Sequence, residues 1–232
     1  MNRVEVRIVI PARNEEDLLP LSLGAVRQAI DYAAHHEHQP VSARITVVAD
    51  RCRDNSAAAA AQWADEVMTL DAGSVGAARS AGFATIFDSG NTRVPDEALL
   101  LCTDADSLVP RTWLTEHLRH TESGADAVAG MVSVRDWAGR RPSLQAQYER
   151  AYAASATHVH GANLSFTAAT YRAVGGFSGR ATGEDQGLVD RIAAAGLRVD
   201  FCSRAPVVTS ARSVTRAEHG FGHYLNSLEA AS

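Results

Sequence analysis

The stretch ALLLCTDAD, residues 98–106, decides the fold class. Ala98–Thr103 is apolar and short enough to be a fully buried strand, and it ends abruptly in Asp104-Ala-Asp106. Strands buried on both faces are typical of parallel sheets that are covered by helices on each side. Ligands of such sheets bind beyond the carboxyl ends of the strands. The stretch therefore predicts both an α/β fold and the place of its functional site.

The rest of the chain repeats the alternation of strand-like and helical patterns. The predicted strands are Val4–Ile10, stopped by Pro11, then Ile45–Ala49, Val67–Leu70, Ala98–Thr103, Ala127–Val134, Asn163–Phe166 and Val199–Cys202. The predicted helices cover residues 15–34, 56–64, 74–87, 110–122, 144–156 and 184–195. Strands that alternate with helices indicate βαβ crossovers, hence a mostly parallel sheet with helices on both faces. No repeat or linker interrupts residues 1–232, so we expect a single domain.

Composition and charge do not favour a nucleic-acid-binding, membrane-binding or secreted protein. The net charge is −5 and the sequence pI is about 6.0, so no basic surplus favours nucleic acid or an anionic membrane. Cys52, Cys102 and Cys202 are odd in number and scattered, which fits reduced thiols in a cytoplasmic protein. No apolar stretch approaches the roughly 18 residues of a membrane span, and the N-terminus lacks a signal-peptide pattern. We expect a cytoplasmic protein without transmembrane anchoring.

Polar clusters follow three of the predicted strands. They are PARNE at residues 11–15, DRCRD at residues 50–54 and TDAD at residues 103–106. Because the carboxyl ends of parallel strands meet at one edge of a sheet, these clusters should converge. The sequence therefore predicts one site built from three loops.

Asp104 and Asp106 carry the sharpest signal in that site. Mg²⁺ or Mn²⁺ usually takes one or two carboxylates together with phosphate oxygens and water. Carboxylates in a turn ahead of Pro110 could instead cap the next helix. Their position directly after a buried strand favours the metal interpretation.

Two further carboxylates of the converging loops have open interpretations. Asp50 could accept a hydrogen bond from a nucleobase or ribose, because Asp54, Asn55 and Ser56 are already available to cap the next helix. Glu15 could serve the site or merely favour the dipole of the helix that it is predicted to open.

Other motifs point to phosphate binding and acid–base chemistry. In GSVGAAR, residues 73–79, backbone amides and the Arg79 guanidinium could bind phosphate, or the glycines could only mark a helix start. Glu184 and Asp185 open a predicted helix, where they could complement its dipole or supply a general base.

The histidines offer weaker signals. His158 and His160 precede Gly161 and could line a site. His219 and His223 have the i, i+4 spacing that permits shared metal binding on a helix, although this spacing also arises by chance.

Taken in order, six motifs resemble those of the family-2 glycosyltransferases over about residues 4–212. They are IPARNEE, VVADRCRDNS, GAARSAG, TDADSLVPRTWL, GANLSF with VGGF, and GEDQGLVDRI. The resemblance implies one GT-A domain with a Rossmann-like sheet, a nucleotide-binding half at about residues 1–106 and a smaller acceptor-binding half at about 107–232. It also implies a UDP- or GDP-sugar donor and Mn²⁺ or Mg²⁺.

The resemblance also assigns roles by position. It places Pro11, Ala12, Arg13 and Glu15 in the nucleotide pocket, Asp50 at the base and Arg79 near the diphosphate. It makes Asp106 the principal metal ligand, Asp104 a contact of nucleoside or metal, and His219 or His223 a further ligand. Gly161, Ala162 and Asn163 would shape the sugar and acceptor region, and Asp185 would be the catalytic base with Glu184 beside it.

Departures from the family pattern limit these implications. The second motif usually reads Asp-Asp-Gly-Ser, whereas Asp50 here precedes Arg51 and Cys52, which leaves UDP versus GDP open. Ser80 replaces a common asparagine. The aromatic acceptor motif is missing after Arg198, which argues against a processive polysaccharide synthase.

The leading hypothesis is therefore transfer of one sugar to a hydroxyl of a small, soluble or lipid-linked acceptor, with inversion if Asp185 is the base. Residues 135–157 should frame the acceptor, where Trp137 could stack on it or anchor the core. A nucleotidyltransferase or an oxidoreductase would need a glycine-rich loop after the first strand, and none is present. The alternatives are a non-catalytic nucleotide-sugar-binding protein or, despite that missing loop, a nucleotidyltransferase on a related fold.

Overall fold

A mixed sheet of seven strands organises the described part of the chain. The computed structural model describes residues 3–88, 94–135, 137, 140–153, 157–180, 182–210, 225–226 and 228–229. The strands are β1 (Val4–Ala12), β2 (Val41–Asp50), β3 (Glu66–Leu70), β4 (Leu99–Cys102), β5 (Ala127–Arg135), β6 (Leu164–Thr167) and β7 (Val199–Ser210). The helices are α1 (Leu19–His36), α2 (Ser56–Ala60), α3 (Val75–Asp88), α4 (Trp113–Glu122), α5 (Pro142–Ala153), α6 (Ala168–Ala173) and α7 (Glu184–Ala194).

The strand order is β3-β2-β1-β4-β6-β5-β7, with one reversal of direction. β6 is antiparallel to both β4 and β5, whereas the other neighbouring pairs are parallel. β5 and β7 therefore run in the same direction as β1, β2 and β4. The carboxyl ends of these strands lie along one edge of the sheet, as the sequence predicted.

Successive side chains of a strand point to opposite faces of the sheet, so the apolar strands present a hydrophobic surface on both faces. Helices pack on each of these surfaces. In β1, Ile8 and Ile10 join a core that contains Leu23 of α1 and Trp113 of α4. Val9 joins a second core on the other face, which contains residues of α3 and α7, namely Phe83, Leu188 and Ile192. This confirms the predicted α/β architecture.

Several predicted boundaries were wrong for identifiable reasons. β1 continues past Pro11 to Ala12 because its pairing with β2 extends that far. α1 begins at Leu19, whose N–H bonds the Glu15 carbonyl at 2.9 Å, so Glu15 precedes the helix and is not in its first turn. Similarly, α4 begins at Trp113 after a turn closed on the carbonyl of Pro110.

Pairing between distant strands explains the largest difference between a predicted and an observed boundary. β7 runs to Ser210, well beyond the predicted end at Cys202, because β5 offers a partner as far as Arg135 after an irregularity between Gly130 and Val132. The short helix α6 was not predicted. None of the helices described above is both long and apolar enough to cross a lipid bilayer.

Candidate active site

The loops after β1 and β2 are fastened to each other. The Glu15 N–H donates to Ser56 Oγ at 2.7 Å, and the Arg53 N–H donates to Asn14 Oδ1 at 2.7 Å. Asn14 and Arg51 adopt positive φ angles of 55° and 53°, so both loops turn sharply as they leave their strands. The predicted convergence of these two loops is observed.

The predicted nucleotide-pocket residues differ in exposure. Arg13 is exposed and Pro11 is half-buried, whereas Ala12 is buried and Glu15 is only 5% exposed. Arg13 and Pro11 are therefore the members of this set that present side-chain surface to solvent. Ala12 and Glu15 lie at the base of the two loops.

Asp50 has a role that the sequence did not suggest. Its side chain accepts N–H groups from Ala72 and Gly73 on Oδ1, at 2.8 and 2.9 Å, and from Ser74 on Oδ2, at 2.9 Å. These amides directly precede α3, where a negative charge is favoured by the helix dipole. Asp50 thereby fixes the loop before α3.

One buried guanidinium joins the end of β4 to the start of α7. Arg79 is 3% exposed, and its Nη2 lies 2.5 Å from Asp104 Oδ1 while its Nη1 donates to Glu184 Oε1. Gly161 makes room for it, since a Cβ at that position would collide with the guanidinium. Arg79, which the resemblance assigns to the neighbourhood of the diphosphate, is thus paired with two carboxylates of the site.

The charges of this group perturb its pKa values. Burial acts to lower the pKa of Arg79, but Asp104 and Glu184 outweigh it and the pKa is raised. Burial raises the pKa of Glu184, and Arg79 opposes that shift. The arginine stays charged and holds the two carboxylates around it.

Asp104 and Asp106 lie in the turn that follows β4. The Ser107 N–H closes this turn on the Asp104 carbonyl at 3.2 Å, and Ser22 Oγ also donates to that carbonyl, at 3.1 Å. The Asp104 side chain is 34% exposed and Asp106 is half-buried, so both carboxylates reach the surface.

The donor set of this turn suits a hard cation. Carboxylate oxygens are the ligands that Mg²⁺ and Mn²⁺ prefer, and Asp104 contacts Arg79 through one of its two oxygens, Oδ1. In the described residues no third His, Cys or carboxylate ligand joins this pair within one cluster. His219 and His223, predicted as further ligands, lie outside the described residues.

The neighbouring carboxylates of α7 have different environments. Glu184 is 3% exposed and paired with Arg79. Asp185 is partly exposed, and its Oδ2 accepts the Gly161 N–H at 2.8 Å while Oδ1 accepts the Gln186 N–H at 2.8 Å. Asp185 is thus oriented by backbone amides and is the member of the pair that reaches solvent.

Asn163, which the resemblance assigns to the sugar and acceptor region, is the centre of a buried hydrogen-bond network. It is fully buried, and its Oδ1 accepts from Trp113 Nε1 and His117 Nε2, each at 2.9 Å. Its Nδ2 donates to the carbonyls of Met131 and Ala205, at 2.8 and 3.0 Å. These four hydrogen bonds join α4 and the strands β5 and β7 to the segment that precedes β6. Ala162, the neighbour of Asn163, is 6% exposed.

A cleft of about 610 Å³ opens between α5 and the strands β5 and β7. Its aromatic lining, from which we name it the aromatic cleft, consists of Trp137, Tyr148, Tyr152, His158 and Phe201. The sequence singled out Trp137 and His158 here but missed the other three. The i, i+4 spacing of Tyr148 and Tyr152 on a helix was a signal for a shared aromatic face.

Tyr152 connects the aromatic cleft with the carboxylate site. Its ring stacks on His158 with centroids 3.7 Å apart, and its hydroxyl lies 3.1 Å from His160 Nε2. Burial lowers the pKa of His160, and Asp185 opposes that shift. Since His160 directly precedes Gly161, the cleft wall and Asp185 are linked through one short segment.

Comparisons with known proteins give the family and the fold. The sequence model described as Glycosyl transferase family 2 matches residues 7–178. A comparison with curated proteins gave no match.

Solved structures share the fold at low identity. Residues 1–349 of S. aureus TarS in complex with UDP-GlcNAc match with a TM-score of 0.67 at 12% identity, covering 94% of this chain and 62% of that one. The mannosyltransferase PcManGT from Pyrobaculum calidifontis, in complex with GDP-Man and Mn²⁺, matches with a TM-score of 0.65 at 18% identity. The match covers 96% of this chain and 60% of that one. M. tuberculosis glucosyl-3-phosphoglycerate synthase with Mg²⁺ and UDP matches with a TM-score of 0.58 at 14% identity. The match covers 98% of this chain and 76% of that one. This chain spans less than two thirds of the first two, and the shared fold is GT-A, as predicted.

Proposed function

Because the chain belongs to glycosyl transferase family 2, we propose that it transfers a sugar from a UDP- or GDP-sugar to a hydroxyl of an acceptor. The observation that carries the proposal is the link from Asp104 through Arg79 to Glu184, which brings the end of β4 next to the start of α7. Carboxylates suited to a metal and a carboxylate suited to a base thereby lie in one site. The TarS and PcManGT structures, which hold UDP-GlcNAc and GDP-Man, support the donor class.

Asp106 and Asp104 would hold Mn²⁺ or Mg²⁺, with His219 as a further ligand. A divalent cation there supplies positive charge that offsets the charge of the departing nucleotide diphosphate. Arg79 holds Asp104 in place, because its Nη2 pairs with Asp104 Oδ1 at 2.5 Å.

The nucleotide would lie over the loops after β1 and β2. Pro11 and Arg13 offer side-chain surface there, while Ala12 and Glu15 shape the loop beneath. Asp50 acts on the nucleotide through the loop before α3, which it holds by three N–H groups.

Asp185 would remove the proton of the attacking hydroxyl. It is partly exposed and oriented by the Gly161 N–H, whereas Glu184 is occupied by Arg79 and positions the start of α7. Direct attack by an acceptor that Asp185 activates, on the face opposite the leaving diphosphate, would invert the configuration of the sugar.

The aromatic cleft would hold the acceptor. Its volume of about 610 Å³ falls within the range of small-molecule sites, and flat aromatic rings suit a sugar, an aglycone or the first units of a lipid chain. Tyr152 places this cleft one short segment away from Asp185.

Turnover of matched carboxylate variants tests the proposal. Release of UDP or GDP from a panel of nucleotide sugars should fall at least about 100-fold in Asp185→Asn, as expected for loss of a general base, with donor binding retained. Asp190→Asn, an exposed carboxylate of the same helix, is the control and should keep full turnover. Unchanged turnover in Asp185→Asn would remove it from the mechanism. Donor binding without any release in the wild type would favour a non-catalytic binding protein.

A further inference from the structure

A second group of ligand-type side chains lies between α4 and the start of β7. Glu116 and His120 are four residues apart on α4, so they project from one face of the helix. Asp200 and Cys202 are two residues apart on β7, so they project from one face of the strand. α4 packs on β7, which brings the two pairs together.

Three of these side chains already have the spacing of a metal site. Glu116, His120 and Cys202 each offer one ligand atom, and the three atoms lie within 4.8 Å of one another. Thiolate sulfur, imidazole nitrogen and carboxylate oxygen are the ligands of Zn²⁺ in proteins. A thiolate selects against Mg²⁺ and Ca²⁺, so this chemistry differs from that of Asp104 and Asp106.

A hydrogen bond orients the imidazole of His120 so that its Nε2 could bind a metal. Its Nδ1 lies 2.8 Å from Asp200 Oδ2, and a carboxylate can only accept, so Nδ1 carries the proton. Asp200 is held in turn by the guanidinium of Arg198, at 2.8 and 3.0 Å. A histidine that donates Nδ1–H to a carboxylate and presents Nε2 is the usual arrangement around bound zinc.

The guanidinium of Arg119 contacts two of the three side chains of this cluster. Arg119 Nη2 lies 2.7 Å from Glu116 Oε2 and 3.2 Å from His120 Nε2, so both atoms direct lone pairs at one cation. The Arg119 side chain is 50% exposed and rests on the helix surface, so it can turn into solvent. A divalent cation would replace it without any movement of the backbone.

We propose that Glu116, His120 and Cys202 form a zinc site, with Asp200 orienting His120. Cys202 pairs with Gly130 of β5, and the neighbouring pairs align Phe201 through Ala129 and Leu164 with Cys102 at the end of β4. The zinc site is therefore level with the end of β4 but lies on the edge strand β7, three places away from β4 in the sheet. Zinc there would fasten α4 to the edge strand and stabilise the domain.

Zinc binding should be measured on the full chain by competition with a chromophoric chelator. Asp106→Ala serves as the background, so that metal bound at the donor site does not enter the count. We expect one Zn²⁺ per chain and a higher thermal unfolding midpoint when zinc is bound. His120→Ala and Cys202→Ser should lose this zinc, and Asp200→Asn should bind it about 10-fold more weakly. Arg119→Ala should bind it more tightly.

Two controls keep the proposal falsifiable. His36→Ala, an exposed histidine on α1, should bind zinc as the background protein does. Since Cys202 is buried, its variant could fold poorly, and His120→Ala, at a partly buried position of α4, then decides the outcome. Co²⁺ should give a thiolate charge-transfer band that Cys202→Ser lacks. Absence of stoichiometric zinc, or zinc retained by His120→Ala, would overturn the site.

Discussion

Arg79 and Glu184 form a buried ion pair between α3 and the first residue of α7, and the side chains are 3% and 4% exposed. The same guanidinium reaches Asp104 at the end of β4. A single cation therefore holds together the carboxylates on which both halves of the proposed reaction depend. Its removal should affect stability and turnover together.

Replacement of Arg79 by methionine should destabilise the fold. The change leaves Glu184 as a buried charge without its partner, and removal of one member of a buried pair costs about 3–5 kcal/mol. The free energy of unfolding, measured with denaturant at pH 7.5, should fall by that order. The double variant Arg79→Met, Glu184→Gln should recover part of the loss.

An exposed arginine provides the matched comparison for that experiment. Arg51 pairs with Asp71 at the surface, where the two side chains are 49% and 88% exposed. Arg51→Met should leave the unfolding free energy nearly unchanged, because exposed pairs are screened by solvent. Equal losses in Arg79→Met and Arg51→Met would contradict the role that we give the buried pair.

Gly161→Ala should abolish turnover although it adds only one methyl group. The new Cβ would collide with the guanidinium of Arg79, so Arg79 must move away from Asp104 and Glu184. Gly179→Ala is the control, because a Cβ there meets nothing within 4 Å. Nucleotide release should be lost in the first variant and kept in the second. An active Gly161→Ala enzyme would show that the position of Arg79 does not matter for the reaction.

Acid should weaken the fold through His117. Burial lowers the pKa of His117 from 6.5 to about 4, so the unfolded chain takes up a proton that the folded chain refuses. The contribution to stability is complete above pH 6.5 and falls as the pH drops from 6.5 to 4, by about 3 kcal/mol in total. Unfolding free energies at several pH values should show this slope, and His117→Gln should flatten it. The same slope in both proteins would assign it to other groups.

The sequence predicted the parts of the fold that depend on local pattern. Ala98–Thr103 is apolar over its whole length, and the observed strand β4 lies within it as a buried strand. By contrast, the second half of β7 reads as irregular sequence and becomes a strand because β5 supplies a partner. Strand formation that depends on pairing between distant segments cannot be predicted from the sequence of either segment alone.

The site shows the same division. The positions of Asp104 and Asp106 after a buried strand could be read from residue order. The partners of Asp50 and Asn163 could not, since the amides that Asp50 accepts lie 22 to 24 residues away and those groups meet only in the folded protein. Asp50 looked like a ligand contact because a polar residue after a strand gives no sign of whether it faces solvent or backbone. Asn163 opens a predicted strand, and only the family resemblance assigned it to the sugar and acceptor region.

Calorimetric titration of UDP and of GDP, first with Mn²⁺ and then with EDTA, tests the proposed donor site most directly. The wild-type protein should bind one of the two nucleotides when metal is present and lose it with EDTA, and Asp106→Ala should bind neither. Asp190→Asn should behave as the wild type. Failure of the wild-type protein to bind either nucleotide with metal, or unchanged binding in Asp106→Ala, would contradict the donor site at the end of β4.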